Sequence, residues 1–153
     1  MSFIVPMTPP SIPGFWKKVL VPTDFSECSL AALKTAARLH QSTDAEITLL
    51  HVTEPAHEGL RIQTEDLHDQ MHHDAQARLQ NLANEHFTGQ DRIRLRIVEG
   101  RPADAICATA EEEESEVIII PTHGHSGLKH MLVGSVAEKV VRQAVCDVLV
   151  VRQ

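Results

Sequence analysis

At 153 residues and 42% apolar composition, the chain is sized for one domain with a substantial core. Its formal charge of −7, from 14 basic against 21 acidic residues, has the wrong sign for a generic nucleic-acid binder, and 3% aromatics supply no base-stacking platform. Cys28, Cys107 and Cys146 are odd in number and far apart, which suits a reducing cytoplasm rather than a disulfide framework, and no apolar run is long enough to span a bilayer.

The chain opens on a segment that stands apart. Pro6, Pro9, Pro10 and Pro13 deny residues 1–16 a regular helix or strand, so they read as a Pro-rich tail ahead of a domain over 17–153. No basic residue precedes the apolar letters of the tail, and no secretory signal is expected. The tail is either loose or docked, through Phe3, Ile4, Phe15 and Trp16, on the body or a neighbouring subunit.

Strand and helix patterns then alternate. Lys18 to Val21 is a short strand stopped by Pro22, and Ser26 is placed to cap a helix running to about His40, with Leu30, Leu33 and Ala37 at helical spacing. Ile47 to Val52 is a second strand. A helix from about Glu65 to His86 sets Leu67, Met71, Ala75, Leu79 and Leu82 on one face. Arg92 to Val98 alternates charged and apolar residues, as an edge strand with one solvated face does. Ala103 to Glu114 is helical, Val117 to Ile120 a fourth strand, Val136 to Ala144 a helix and Val148 to Val151 a last strand. Five strands joined by helical crossovers require a mainly parallel sheet, and right-handed crossovers place helices on both faces. The fold class is therefore a single-domain, doubly wound α/β sheet. The pattern alone does not give the strand order.

The run Val117-Ile-Ile-Ile-Pro-Thr-His-Gly124 holds the clearest sign of a site. A short β-branched strand, buried on both faces, empties into a glycine-bearing loop, and Gly134-Ser135 opens the next helix. Loops at the carboxyl ends of strands, followed by a helix start, are where α/β sheets bind phosphate.

Three segments together resemble the universal stress protein family. Lys18-Val-Leu-Val-Pro-Thr-Asp24 is similar to the opening strand and turn of that family, and His51-Val52 to the end of its second strand. Pro121-Thr-His-Gly124, nine residues, then Gly134-Ser135 resembles its signature Gly-x2-Gly-x9-Gly-Ser/Thr. Gly100-Arg101-Pro102 and Asp147 to Val151 also fit, so the resemblance spans about residues 17–152. It implies the strand order 3-2-1-4-5, with the carboxyl ends of strands one and four meeting at a topological switch point. It also implies binding of ATP or a related adenine nucleotide, with magnesium accompanying ATP, as a stress-response switch.

Carried over by position, Pro22, Thr23 and Asp24 line the adenosine side, and Val52 offers backbone hydrogen bonds to adenine. Pro121 stands where the first signature glycine is found, and Gly124, Gly134, Ser135 and Val136 hold phosphates. Glycines at 124 and 134 allow close backbone approach, and amides at a helix start favour an anion. The resemblance further implies a homodimer paired through Val148 to Val151, which is apolar on both faces and reads as a sheet edge.

Two positions depart from the signature. Pro121 has no N–H to offer a ligand, and His125, in place of an arginine, is a poorer phosphate partner. They carry an alternative reading: a stress or interaction domain that binds no nucleotide and acts through dimerisation and partner binding. Simpler local roles also exist. Ser135 and Glu138 have capping-box spacing, and Asp24 suits an Asx-turn. His68 and His72, with Asp69 and His73 beside them, lie on one helical face without a Cys-x2-Cys partner, so a solvated face is expected rather than a zinc site. His123, His125 and His130 lie near the proposed loop, within reach of adventitious metal or phosphate. Glu111 to Glu114 oppose the helix dipole and read as a solubilising face. No Walker sequence, Gly-x-Gly-x-x-Gly or complete nucleophile elbow occurs, so no catalytic residue is assigned, and a metal- or nucleotide-dependent hydrolase is the weakest reading.

Overall fold

A computed structural model describes residues 15–55, 64–122 and 134–152. Residues 1–14 of the tail, with Phe3 and Ile4, and Gly124 with the three loop histidines lie outside the described residues; so do the side chains of Leu67 and His68. The elements are β1 (Lys18–Pro22), α1 (Glu27–Thr43), β2 (Glu46–Thr53), α2 (Thr64–His86), β3 (Ile93–Glu99), α3 (Pro102–Glu112), β4 (Val117–Pro121), α4 (Ser135–Gln143) and β5 (Asp147–Val151). Every strand pair is parallel and the order is β3-β2-β1-β4-β5, as expected.

Alternation along the strands divides the core into two layers. Val19, Val21, Ile47, Leu49, Val117 and Ile119 face α1 and α2, where Ala32, Leu33, Ala36, Leu79 and Ala83 meet them. Leu20, Leu50, Ile118 and Ile120 face the opposite way, onto Ala103, Ile106 and Ala110 of α3 and Ala137 and Val140 of α4. The inner strands are apolar on both faces because both faces are covered. Alanines at the helix contacts let the helices lie close to the sheet. At the edges, β3 exposes Arg94 and Glu99, and β5 is only partly buried throughout its apolar residues.

Several local expectations are corrected. β1 runs through Pro22 rather than stopping before it, because Pro22 lies opposite Leu50 and the bond to β2 is made by the next residue, Thr23 N–H to the Leu50 carbonyl at 2.8 Å. Met71 is exposed, so the buried face of α2 begins at Ala75 among the described side chains. The acidic end of α3 is more than a solubilising face. Arg96 pairs with Glu113 at 3.0 Å and Glu112 at 3.2 Å, and Thr48 Oγ1 donates to the other Glu113 oxygen at 2.6 Å. The hydrogen bond that Arg96 donates to Glu113, then the one it donates to Glu112, raises the Arg96 pKa. α3 ends two residues early, with Glu114 turning into the left-handed region at φ 54°. Trp16 docks on the α1 and α2 side of the core and donates from Nε1 to Asp147 Oδ2 at 2.8 Å, while Phe15 remains exposed.

One seam of the sheet stays short. β1 pairs with β4 only at Val19 with Val117 and Leu20 with Ile118, although β1 continues to Pro22 and β4 to Pro121. Beyond that point β1 stays with β2, and β4 stays with β5 as far as Pro121 opposite Val151. Successive N–H groups of a strand alternate between its two neighbours. Thr23 N–H is bonded to β2 and Thr122 N–H to Val151 of β5, so the nitrogens of Pro22 and Pro121 both face the β1–β4 seam. Neither carries a proton, and the ladder has no donor with which to continue.

Ile118 is fully buried at the last paired position of this seam. Ile118→Ala is expected to destabilise the fold by about 2–5 kcal/mol, whereas Lys139→Ala on the exposed side of α4 stays within about 0.5 kcal/mol. Urea unfolding monitored by circular dichroism measures both.

Candidate functional site

A cavity of about 450 Å³ opens where β1 and β4 part. That is within the range of about 300–1,000 Å³ usual for small-molecule sites, and it lies at the carboxyl ends of the strands. Its walls bring together eight of the residues singled out from the sequence: Pro22, Thr23, Asp24, Val52, Pro121, Gly134, Ser135 and Val136. The ninth, Gly124, lies outside the described residues.

The turn after β1 is fixed by its own polar groups. Ser29 Oγ donates to the Ser26 carbonyl at 2.7 Å, so at 2.9 Å it must accept its partner's proton from Thr23 Oγ1. Thr23 Oγ1 in turn accepts from Phe25 N–H at 3.0 Å. The buried Thr23 hydroxyl therefore gives its single proton to the fold. Asp24 Oδ1 accepts from Ser26 N–H at 2.9 Å and from the Ser26 hydroxyl, which is the Asx-turn, and Asp24 also lines the cavity. Ser26 caps α1 as expected, accepting from Ser29 N–H at 3.3 Å.

At the other wall, α4 begins at Ser135, with Gly134 as its cap. The capping box is thereby overturned: Ser135 is the first helical residue, and Glu138 pairs with Arg142 at 3.0 Å instead. Gly134 has an ordinary extended backbone and donates its N–H to the Thr122 carbonyl, clamping the helix start to the end of β4. The first amides of α4 inside that cap, at Ser135 and Val136, have no helical acceptor of their own, and the helix dipole adds partial positive charge there.

Sequence reasoning missed Glu54, Thr122, Pro102 and Ile106, which also line the cavity. Glu54 lies two residues past Val52, just beyond the carboxyl end of β2, where residues lining the crevice are expected. Pro102 and Ile106 arrive because α3 packs beside α4 on one face, which follows only once the strand order is known. Among the described lining residues there are two carboxylates, Asp24 and Glu54, and no lysine or arginine. Leu50, Val52, Pro102, Ile106 and Ile120 make one wall apolar. Burial pushes the Cys107 and Cys146 thiols up, with Cys146 adding to the effect at Cys107 and Asp147 to that at Cys146, which disfavours their thiolates; neither lines the cavity. No group of three or more metal-ligating side chains occurs among the described residues, and Asp69, His72 and His73 are exposed on α2.

Comparison with known proteins agrees with this architecture. Residues 16–152 match the Universal stress protein family. Universal stress protein MJ0531 of Methanocaldococcus jannaschii is 33% identical over 147 residues, covering 92% of this chain and 84% of that protein. The solved structure of MJ0577, a universal stress protein of the same organism, superposes with a TM-score of 0.79 at 33% identity, covering 90% and 96% of the two chains. A universal stress protein solved in complex with cAMP superposes with a TM-score of 0.64 at 25% identity, covering 89% and 97%. With its strand order, its parted central strands and this match along nearly its whole length, the chain belongs to the universal stress protein family.

Proposed function

We propose that this protein binds ATP or a related adenine nucleotide in the crevice between β1 and β4, and that occupancy serves as a stress-response switch in the cytoplasm. The observation that carries the reading is the convergence of an apolar wall, the Thr23–Asp24 turn and the start of α4 on one cavity. The base takes the apolar side, with the Val52 backbone as its hydrogen-bonding edge. Asp24 faces the ribose. The phosphates lie toward Ser135 and Val136, where helix amides and dipole favour an anion. Gly134 contributes close approach rather than an amide, since its N–H is engaged by Thr122. Gly124 completes the phosphate loop in this reading.

Magnesium accompanying ATP suits a site whose described lining has no lysine or arginine to offset phosphate charge. Its contribution would be charge neutralisation at the phosphate end, beside Ser135. The cAMP complex of a related structure supports the ligand class. A second reading has specific support too. Pro121 without an N–H and Gly134 with its N–H engaged leave fewer donors for phosphate, which favours a domain acting through dimerisation and protein partners.

The proposed assembly is a homodimer paired along β5. That strand is a sheet edge, and Val141 and Val145, 51% and 75% exposed, lie on the adjoining helix and turn. An apolar edge of this kind is normally paired or shielded. Light scattering at micromolar concentration is expected to give a dimer. The paired change Val141→Glu and Val145→Glu, at exposed positions that spare the core, is expected to weaken it at least tenfold; a monomeric unmodified protein would sink the assembly.

For the ligand, ATP with magnesium at a hundred times its dissociation constant contributes about 2.7 kcal/mol, a melting shift of roughly 6–10 °C for a domain of this size. Gly134→Val keeps an allowed extended backbone but weakens the cap of α4 and adds bulk at the phosphate end; it is expected to lower the apo melting temperature and to abolish the ATP shift. A melting temperature unmoved by millimolar ATP in the unmodified protein would transfer the conclusion to the second reading.

Pro121→Gly tests the seam directly. It returns an N–H on the side of β4 that faces the crevice, and a hydrogen bond to a charged group is worth about 1.5–3 kcal/mol. Loop ordering opposes part of this, and glycine lowers apo stability by about 0.4–1 kcal/mol. The expected result in calorimetric titration is a roughly tenfold gain in ATP affinity with a slightly lower apo melting temperature. Equal or weaker binding would mean that the ring of Pro121 shapes the pocket to advantage, or that the new N–H closes onto β1.

A further inference from the structure

The turn that carries Thr23 and Asp24 is held from outside the cavity. Phe25 adopts φ 62°, in the left-handed region that a bulky side chain rarely occupies and that persists only where surroundings enforce it. Three contacts provide that enforcement. The Phe25 ring lies on the His51 imidazole, with centroids 4.4 Å apart and planes inclined by 36°. The guanidinium carbon of Arg78, on α2, is 4.0 Å from the Phe25 ring centroid, a cation–π contact. His51 Nδ1 donates to the Thr23 carbonyl at 2.9 Å, returning the stack to the backbone beside Asp24. Arg78, Phe25 and His51 are all absent from the cavity lining.

We propose that Arg78 is a positioning residue for this site: by holding the Phe25 ring it keeps the Thr23–Asp24 turn in the shape that receives the adenosine part of a nucleotide. The ligand half of this inference rests on the nucleotide reading given above. The turn's own hydrogen bonds run through side chains, Phe25 N–H to Thr23 Oγ1 and Ser26 N–H to Asp24 Oδ1, and Phe25 is partly buried against the α1 and α2 layer of the core; the stack adds a hold on the ring from α2 and β2. Arg78 is exposed on α2, a helix that supplies no residue to the described cavity lining. Its contact therefore couples α2 to the site, and linkage is reciprocal: a nucleotide that requires the ordered turn tightens the Arg78–Phe25 contact by the same factor that the contact tightens the nucleotide.

The experiment uses the full chain, three single variants and one double: Arg78→Met, which keeps the apolar stem and removes the cation; Arg78→Lys, which keeps a cation; Phe25→Leu, which removes the ring face; and Arg78→Met combined with Phe25→Leu. Amide hydrogen exchange at Phe25 and Ser26 reports the turn, and calorimetric titration with ATP and with adenosine, at low and high salt, reports binding. An exposed cation–π contact corresponds to an effect of about two- to fivefold. Arg78→Met is expected to speed exchange at those two amides by that factor. It should weaken ATP and adenosine equally, in a manner insensitive to salt, with partial recovery in Arg78→Lys. Adding Arg78→Met to Phe25→Leu should do nothing further, since both break one contact.

Unchanged exchange in Arg78→Met overturns the proposal, whatever happens to the melting temperature. So does a loss confined to ATP, which would mark Arg78 as a long-range attraction for phosphate. If the unmodified protein binds neither ATP nor adenosine, the nucleotide reading falls separately; faster exchange in Arg78→Met then upholds the clamp on the turn, and unchanged exchange removes it.

Discussion

The structure depends on a pair of missing donors. Pro22 and Pro121 both point a nitrogen at the seam between β1 and β4, and neither nitrogen carries a proton. The ladder between the two central strands consequently stops after Leu20 and Ile118, while each strand remains bonded to its outer neighbour. An open α/β sheet has a natural crevice where its strand order reverses. Here the backbone chemistry of two residues widens that crevice at the same place. The cavity is thus a consequence of the sheet itself, and its two walls are the turn after β1 and the segment from β4 to α4.

A cavity made by parting strands has exposed backbone to satisfy, and each wall does so locally. On the β1 side the relay from Phe25 N–H through Thr23 and Ser29 to the Ser26 carbonyl uses short side chains within a single turn. On the β4 side, Thr122 bonds Val151 with its N–H and Gly134 with its carbonyl. What is left facing the cavity is uneven: apolar carbon along one wall, carboxylates at Asp24 and Glu54, and helix amides at Ser135 and Val136. These are the three regions that the proposed nucleotide would use for its base, its ribose and its phosphates.

Much of this was legible in the sequence, for a physical reason. Runs such as Val117 to Ile120 are apolar at every position because the strand is covered on both faces, and that pattern survives without knowledge of neighbours. Strand order came from resemblance, not from periodicity. The misreadings cluster where tertiary contacts decide between local options. Pro22 joined a strand because its nitrogen faces the seam. Ser135 lost the cap because Thr122 draws Gly134 into that position, and Glu113 left the solvent to meet Arg96 and Thr48. Nothing in the linear pattern announces those partners. Glu54 is different: it lies two residues past Val52, just beyond the carboxyl end of β2, where residues beside the crevice are expected in such a sheet.

The most instructive case is the motif Thr23-Asp24-Phe25-Ser26. From sequence Thr23 and Asp24 invite a functional reading, and Phe25 attracts none. In the folded chain much of the structural burden falls on Phe25. The Thr23 hydroxyl is consumed by the relay and Asp24 Oδ1 closes a turn, whereas Phe25 carries the unfavourable backbone angle and gathers His51 and Arg78 around it. Strain of this kind persists only when several contacts oppose its release, and such strain collects where a precise shape is needed. The shape in question is that of a wall of the cavity. A residue that never touches the cavity thus bears the conformation on which that wall depends, and the cost of holding it is distributed over α2 and β2 rather than met within the turn.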